Sequence, residues 1–161
     1  MYDILFSSQH SMSQNKNKIE FEVENIFTFG NPLGVFLALN GIRPINTGNR
    51  EHILPKKIFK NYYNIFHPSD PIAYRLEPLI LKEYSAKPAV MIQKHDAPLK
   101  YSYDNINGNR TENDNVKLEE AIDFQVQNST FKFMDHLRSH WGYWNSCDVA
   151  YFIINQIYLK E

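Results

Sequence analysis

The chain has 161 residues, 43% of them hydrophobic and 14% aromatic, which fits one domain with a real core and excludes disorder. A net charge of −1, with no dense Lys/Arg stripe, excludes the electrostatic footprint of nucleic-acid binding. The single cysteine, Cys147, allows no internal disulfide; with no basic, apolar leader in M-Y-D-I-L-F-S-S-Q-H and no bilayer-length apolar run, a cytoplasmic location is expected.

Residues 10–19 are polar and read as an exposed loop. Phe21–Phe29 starts with alternation and ends as a buried-type apolar run, so it predicts a strand. Gly30-Asn31-Pro32-Leu33-Gly34 breaks that strand, and Pro32–Leu39 predicts a short helix opening after the turn. Residues 40–60 are irregular and moderately basic. Tyr62–Phe66 predicts a second strand, which stops at His67-Pro68. Ala89–Gln93 predicts a short strand, His95–Asn115 an Asn-rich surface loop and Ala121–Val126 another strand. Phe131–Arg138 fits a helix or a loop equally. Ser146-Cys147-Asp148 starts a terminal helix running to Tyr158, with Ser146 as cap and Asp148 set against the dipole in the first turn. Strands separated by helices and long connections predict an α/β sheet.

Asp70 lies at a strand exit between Pro68 and Pro71, each of which restricts its own backbone and that of the residue before it. A carboxylate held there can orient a histidine in an active site, or it can bond its own turn backbone. His140, in R-S-H-W-G-Y-W, has Trp141, Tyr143 and Trp144 nearby to wall off water. That suits a general base, or a histidine simply packed among aromatics. His136 stands four residues before His140, but the intervening Leu-Arg-Ser lacks the glutamate of a helical zinc motif. Asp123 interrupts an apolar strand, so it is either buried with a partner or on the solvent face. Arg75 and Glu77 are placed to pair structurally. G-N-P-L-G matches neither phosphate-binding glycine pattern and reads as a tight strand-to-helix turn. No G-x-S-x-G elbow occurs anywhere, so the serine of a hydrolase is missing although an acid and a base follow in the right order.

Four blocks together carry a family resemblance: F-T-F-G-N-P-L-G-V-F-L at Phe27–Leu37, N-I-F-H-P-S-D-P-I-A-Y-R-L-E-P-L at Asn64–Leu79, I-D-F at Ile122–Phe124 and S-H-W-G-Y-W-N-S-C-D-V-A at Ser139–Ala150. They resemble the DDHD domain of intracellular phospholipases A1 and of some phosphatidylinositol-transfer proteins, over nearly the whole chain. The resemblance implies the C-terminal part of an α/β-hydrolase-like sheet, with the nucleophile-bearing half absent, and one DDHD domain over residues 1–161, N-terminally truncated relative to a full lipase domain. It implies a serine esterase acting on phospholipids such as phosphatidic acid, inactive as this isolated chain. The four residues that name the family fall on Asp70, Asp123, His140 and Asp148. One assignment makes them a divalent-metal site, a hard oxygen-rich set. The other makes Asp70 the triad acid and His140 the general base, needing no cofactor, and chain order and the strand-exit position favour it. Met1-Tyr2-Asp3-Ile4-Leu5 resembles the end of the helix that follows the family's G-H-S-x-G elbow, which implies a start just past the nucleophile. Asn31 stands where the family usually has serine, a departure that a turn tolerates. Expected partners are a phospholipid or membrane surface, met peripherally on internal membranes, and a missing N-terminal polypeptide or another protein. The rival reading is a non-enzymatic DDHD module binding a divalent ion, a lipid head group or a protein.

Overall fold

The computed structural model describes residues 21–45, 47–100, 102–103, 118, 120–127 and 140–158. The expectations for the start of the chain, for residues 10–19, for most of the Asn-rich loop, and for Phe131–Arg138 with His136 lie outside the described residues.

The elements in order are β1 (Val23–Phe29), α1 (Leu33–Leu39), β2 (Phe59–Phe66), α2 (Glu77–Ile80), a 3₁₀ turn (Lys82–Ser85), β3 (Val90–Met91), β4 (Asp123–Gln125), a second 3₁₀ turn (Gly142–Asn145) and α3 (Cys147–Tyr158). The strands form one sheet in the order β1-β2-β4-β3, every neighbouring pair parallel. The α/β expectation is met. Parallel strands need covered faces, and β2 shows it: Tyr62 packs into one apolar cluster, while Tyr63 and Ile65 pack into another. The first cluster takes Leu33 and Leu37 of α1 and Ile80 of α2; the second takes Val149 and Phe152 of α3. The sheet is therefore the middle of three layers.

β2 begins at Phe59, earlier than the sequence pattern suggests. Phe59 is buried and aligned with Val23, and the polar Asn61 is accommodated by a 2.9 Å side-chain bond to Asn25 on β1. The sequence pattern does not announce α2 or either 3₁₀ turn. Each spans four residues, too few to show a helical period, and α2 carries a proline in its first turn. The second glycine of G-N-P-L-G has a packing reason: a Cβ on Gly34 would meet the Arg75 carbonyl oxygen at 2.8 Å. α1 thus lies tight against the chain leaving Asp70. No helix among the described residues is long and apolar enough to cross a membrane.

Candidate active site

The carboxyl ends of β1 and β2 meet at one point. The Gly30 amide donates to the Ile65 carbonyl (3.0 Å), which carries the sheet pairing into the turn after β1. Beyond Phe66 the chain folds back at once: the Asp70 amide donates to the His67 carbonyl (2.9 Å) and the Ser69 amide to His67 Nδ1 (3.1 Å). Asp70 Oδ1 accepts the Ile72 amide (2.9 Å), and the Tyr74 amide reaches back to the Asn31 carbonyl (3.1 Å). These turn bonds explain why two prolines flank the aspartate, since they restrict the backbone around the same turn. The turn reading of Asp70 is met by Oδ1, and the other oxygen is directed inward.

That second oxygen, Oδ2, lies 3.0 Å from His140 Nδ1 and 2.7 Å from the Tyr143 hydroxyl. The Asp70 side chain is fully buried, whereas His140 keeps 30% of its side-chain surface exposed. Burial alone would push the Asp70 carboxyl up; hydrogen bonds from Tyr143, His140 and the Ile72 amide outweigh it and hold the group below the usual carboxylate range. The carboxylate is thus ionised at neutral pH, so the bridging proton sits on His140 Nδ1. His140 Nε2, across the ring, has no hydrogen bond among the described residues.

The aromatic wall around His140 is smaller than the R-S-H-W-G-Y-W pattern suggests. Trp141 and Trp144 are 71% and 73% exposed, and of the three rings only Tyr143 is buried. The 3₁₀ turn is the cause: it directs Tyr143 inward toward Phe29 and leaves the flanking tryptophans on the surface, Trp144 edge-on against Phe29 at 4.9 Å. Gly30 makes room for the pair. Its φ is +56°, and a Cβ there would come within 2.7 Å of His140 Nδ1 and closer still to Asp70 Oδ2.

Asp123 takes the buried alternative. Fully inaccessible on β4, it accepts the amides of Leu76 and Glu77, Asn64 Nδ2 and Arg75 Nε, all at 2.9–3.1 Å. Glu77, equally buried, accepts Arg75 Nη2 (3.0 Å) and the amides of Ile122 and Asp123. Arg75 and Glu77 pair as expected, but within a network that pins residues 74–77 to the sheet. Two carboxylates share one guanidinium, so burial and the Glu77 charge push the Asp123 carboxyl up to about 6.

Asp148 sits in the first turn of α3, where the Ser146 hydroxyl accepts the Val149 amide (3.3 Å) as the cap. Its carboxylate accepts both the amide (2.8 Å) and Nδ1 (2.7 Å) of His95, in the chain beyond β3. Burial raises its pKa, but these His95 bonds prevail and lower it. The structure therefore brings Asp70 and His140 together and gives Asp123 and Asp148 other partners. Among the described residues no three His, Cys, Asp or Glu side chains gather so as to hold a metal ion, so the four do not fit a shared ion site.

Sequence reasoning missed Tyr143 as a partner of the acid, Gly30 as its clearance, and His95 as the partner of Asp148. Only Gly30 left a usable trace, as the residue that ends a strand immediately before Asn-Pro.

The chain matches the DDHD domain family over residues 19–115 and 100–158. It is 56% identical over 95 residues to Phospholipase DDHD1 of Bos taurus (58% of this chain, 11% of that protein). It is 38% identical over 93 residues to Intracellular phospholipase A1 of Caenorhabditis elegans (56% and 10%), and 40% identical over 79 residues to the human SEC23-interacting protein (49% and 7%). The chain spans about a tenth of the length of these curated relatives. No solved structure matches it. The chain belongs to the DDHD domain family.

Proposed function

We propose that this chain supplies the acid and the base of a phospholipase A1-like serine esterase acting on phospholipids such as phosphatidic acid, and that its sheet is the C-terminal part of an α/β-hydrolase-like domain. The observation that carries the reading is the 3.0 Å contact from His140 Nδ1 to a buried, ionised Asp70 at the carboxyl end of β2. That contact leaves Nε2 to take the proton of a serine hydroxyl as its oxygen attacks the ester carbonyl. Nε2 then returns the proton to the leaving alcohol, water repeats the cycle on the acyl-enzyme, and Asp70 stabilises each transient imidazolium. The chain has no G-x-S-x-G, so the serine must come from other polypeptide, and the chain alone is inactive. No step passes through a metal, since the four family residues do not converge. The phospholipase names of two relatives support the lipid ester as substrate class.

The test is a chimera in which this chain replaces the matched region of the bovine relative, assayed for fatty-acid release from phosphatidic acid vesicles. Asp70→Asn should lower kcat by about 10⁴, the cost of a wrong histidine tautomer. His140→Gln should cost at least as much, as expected of groups that act as a unit. Near-normal turnover in either variant would overturn the assignment. A protein-binding module is the second reading, favoured by the name of the SEC23-interacting relative. A chimera without turnover whose copy of this chain still binds purified SEC23 protein would put that module in place of the esterase.

A further inference from the structure

We propose that Tyr143 is a positioning residue for the acid: its hydroxyl fixes the Asp70 carboxylate, and through it the tautomer and ring plane of His140. The inference rests on the acid–base reading above and adds a fourth member to it. The direction of the hydroxyl proton follows from the bonds alone. The Tyr143 oxygen accepts the His67 amide at 2.8 Å, and an amide can only donate. The phenolic proton is therefore committed to Asp70 Oδ2, 2.7 Å away. Oδ1 is already engaged by the Ile72 amide, so the carboxylate is held at both oxygens and has one direction left for His140.

The phenol is itself well fixed. Its ring is buried in the cluster that contains Val149 and Phe152, beside Phe29 at 6.1 Å. It stands three residues after His140 in sequence, so one hydroxyl ties the histidine-bearing segment to the exit of β2. Burial and the adjacent Asp70 carboxylate push phenol ionisation far up, so the proton stays on Tyr143 throughout the neutral range. A tyrosine needed only for packing would not require its oxygen between an amide and the acid. Phenylalanine would fill the same space and leave the His67 amide and one Oδ2 lone pair without a partner.

The experiment is proton and nitrogen NMR of the histidine side chains in the full 161-residue chain at neutral pH, with His140 assigned by its loss in His140→Gln. The wild-type chain should show the proton on His140 Nδ1 and a Tyr143 hydroxyl proton with a cross-peak to the His67 amide. In Tyr143→Phe, with the backbone amide spectrum otherwise kept, the Nδ1 proton should exchange with water about tenfold faster, the loss expected for one bond to a charged group. The nitrogen shifts should move toward a mixture of tautomers. An unchanged tautomer and exchange rate in that variant would overturn the inference while leaving the acid–base reading intact. A wild-type proton on Nε2 instead would overturn the acid–base reading itself. Should Tyr143→Phe unfold, Asp70→Asn gives a second readout: the hydroxyl proton loses its charged acceptor and must shift upfield, and an unmoved resonance would equally overturn the inference.

Discussion

Gly30→Ala is the sharpest perturbation of this site, because it adds one carbon where Asp70 and His140 meet. Two costs can be separated. The first is backbone strain: φ of +56° lies in the left-handed region, where a Cβ costs about 1–2 kcal/mol. The second is steric. The new carbon would sit 2.7 Å from His140 Nδ1 and closer to Asp70 Oδ2, which cannot retreat freely because its carboxylate is bonded to Ile72 and Tyr143. Overpacking of this kind costs about 1–3 kcal/mol. The expected loss is then about 2–5 kcal/mol, a large part of the stability of a typical domain. Gly41 is the control, with φ of +82° and nothing within 4 Å of where a methyl would sit, so Gly41→Ala carries the strain alone. Urea denaturation of the three proteins at neutral pH should place the Gly30→Ala midpoint below that of Gly41→Ala by roughly 1 M, for an m-value of ordinary size. Equal midpoints for the two variants would refute the close approach of Gly30 to the Asp70–His140 pair.

Asp123→Asn should destabilise the chain by about 1–3 kcal/mol at pH 7, because the amide nitrogen of Asn would face donors that now meet carboxylate oxygens. The Asp123 carboxyl is raised from 3.8 to about 6 in the folded chain, so its contribution is fully present below about pH 4 and is lost as pH rises through 6. The deficit of Asp123→Asn relative to wild type should accordingly be larger at pH 5 than at pH 7 in denaturant titrations, and a deficit that shrinks toward pH 5 would contradict this. Asp148 has the opposite sign: its carboxyl is lowered, so its contribution exists above the unfolded value and disappears as pH falls through the folded one. Asp148→Ala should lose about 1–2 kcal/mol at pH 7, converge with wild type in acid, and leave the His140 tautomer untouched. Disturbance of the His140 imidazole signals in that variant would show that Asp148 belongs to the site after all.

The order of the strands, of α1 and of α3 was legible because β1, β2 and the long helix carry their own period or cap. Ser146 caps α3, as its place before Cys147-Asp148 and the apolar run suggests, and Phe27–Phe29 form part of β1. Asp70 was legible as a fixed carboxylate because prolines are local signals. Its pairing with His140 was open to sequence reasoning only through family order, since the two are 70 residues apart and no local pattern encodes that contact. The destination of Asp123 was hidden for a related reason. Two of its four donors are the backbone amides of Leu76 and Glu77, which every residue except proline possesses, so no side-chain pattern announces them. The exposure of Trp141 and Trp144 was hidden too, because aromatic content says nothing about the phase of a 3₁₀ turn.

Buried Asp70 and Asp123 show why the same residue type serves different ends. Each is removed from water, and each accepts several hydrogen bonds. Around Asp70 the donors are a neutral hydroxyl, an amide and an imidazole, with no second carboxylate in contact among the described residues, and burial fails to raise its pKa. Around Asp123 a buried glutamate shares the guanidinium of Arg75, and burial wins. An acid that must hold a histidine in one tautomer and face a transient imidazolium has to remain ionised throughout, which is the condition met at Asp70. A carboxyl near 6 would be partly protonated at neutral pH and would hold that tautomer poorly, but it suits a brace whose work is to accept the amides of residues 76–77. The donors around each carboxylate therefore separate the two: those around Asp70 keep it ionised, as the proposed acid requires, and those around Asp123 tie it to the chain at residues 76–77.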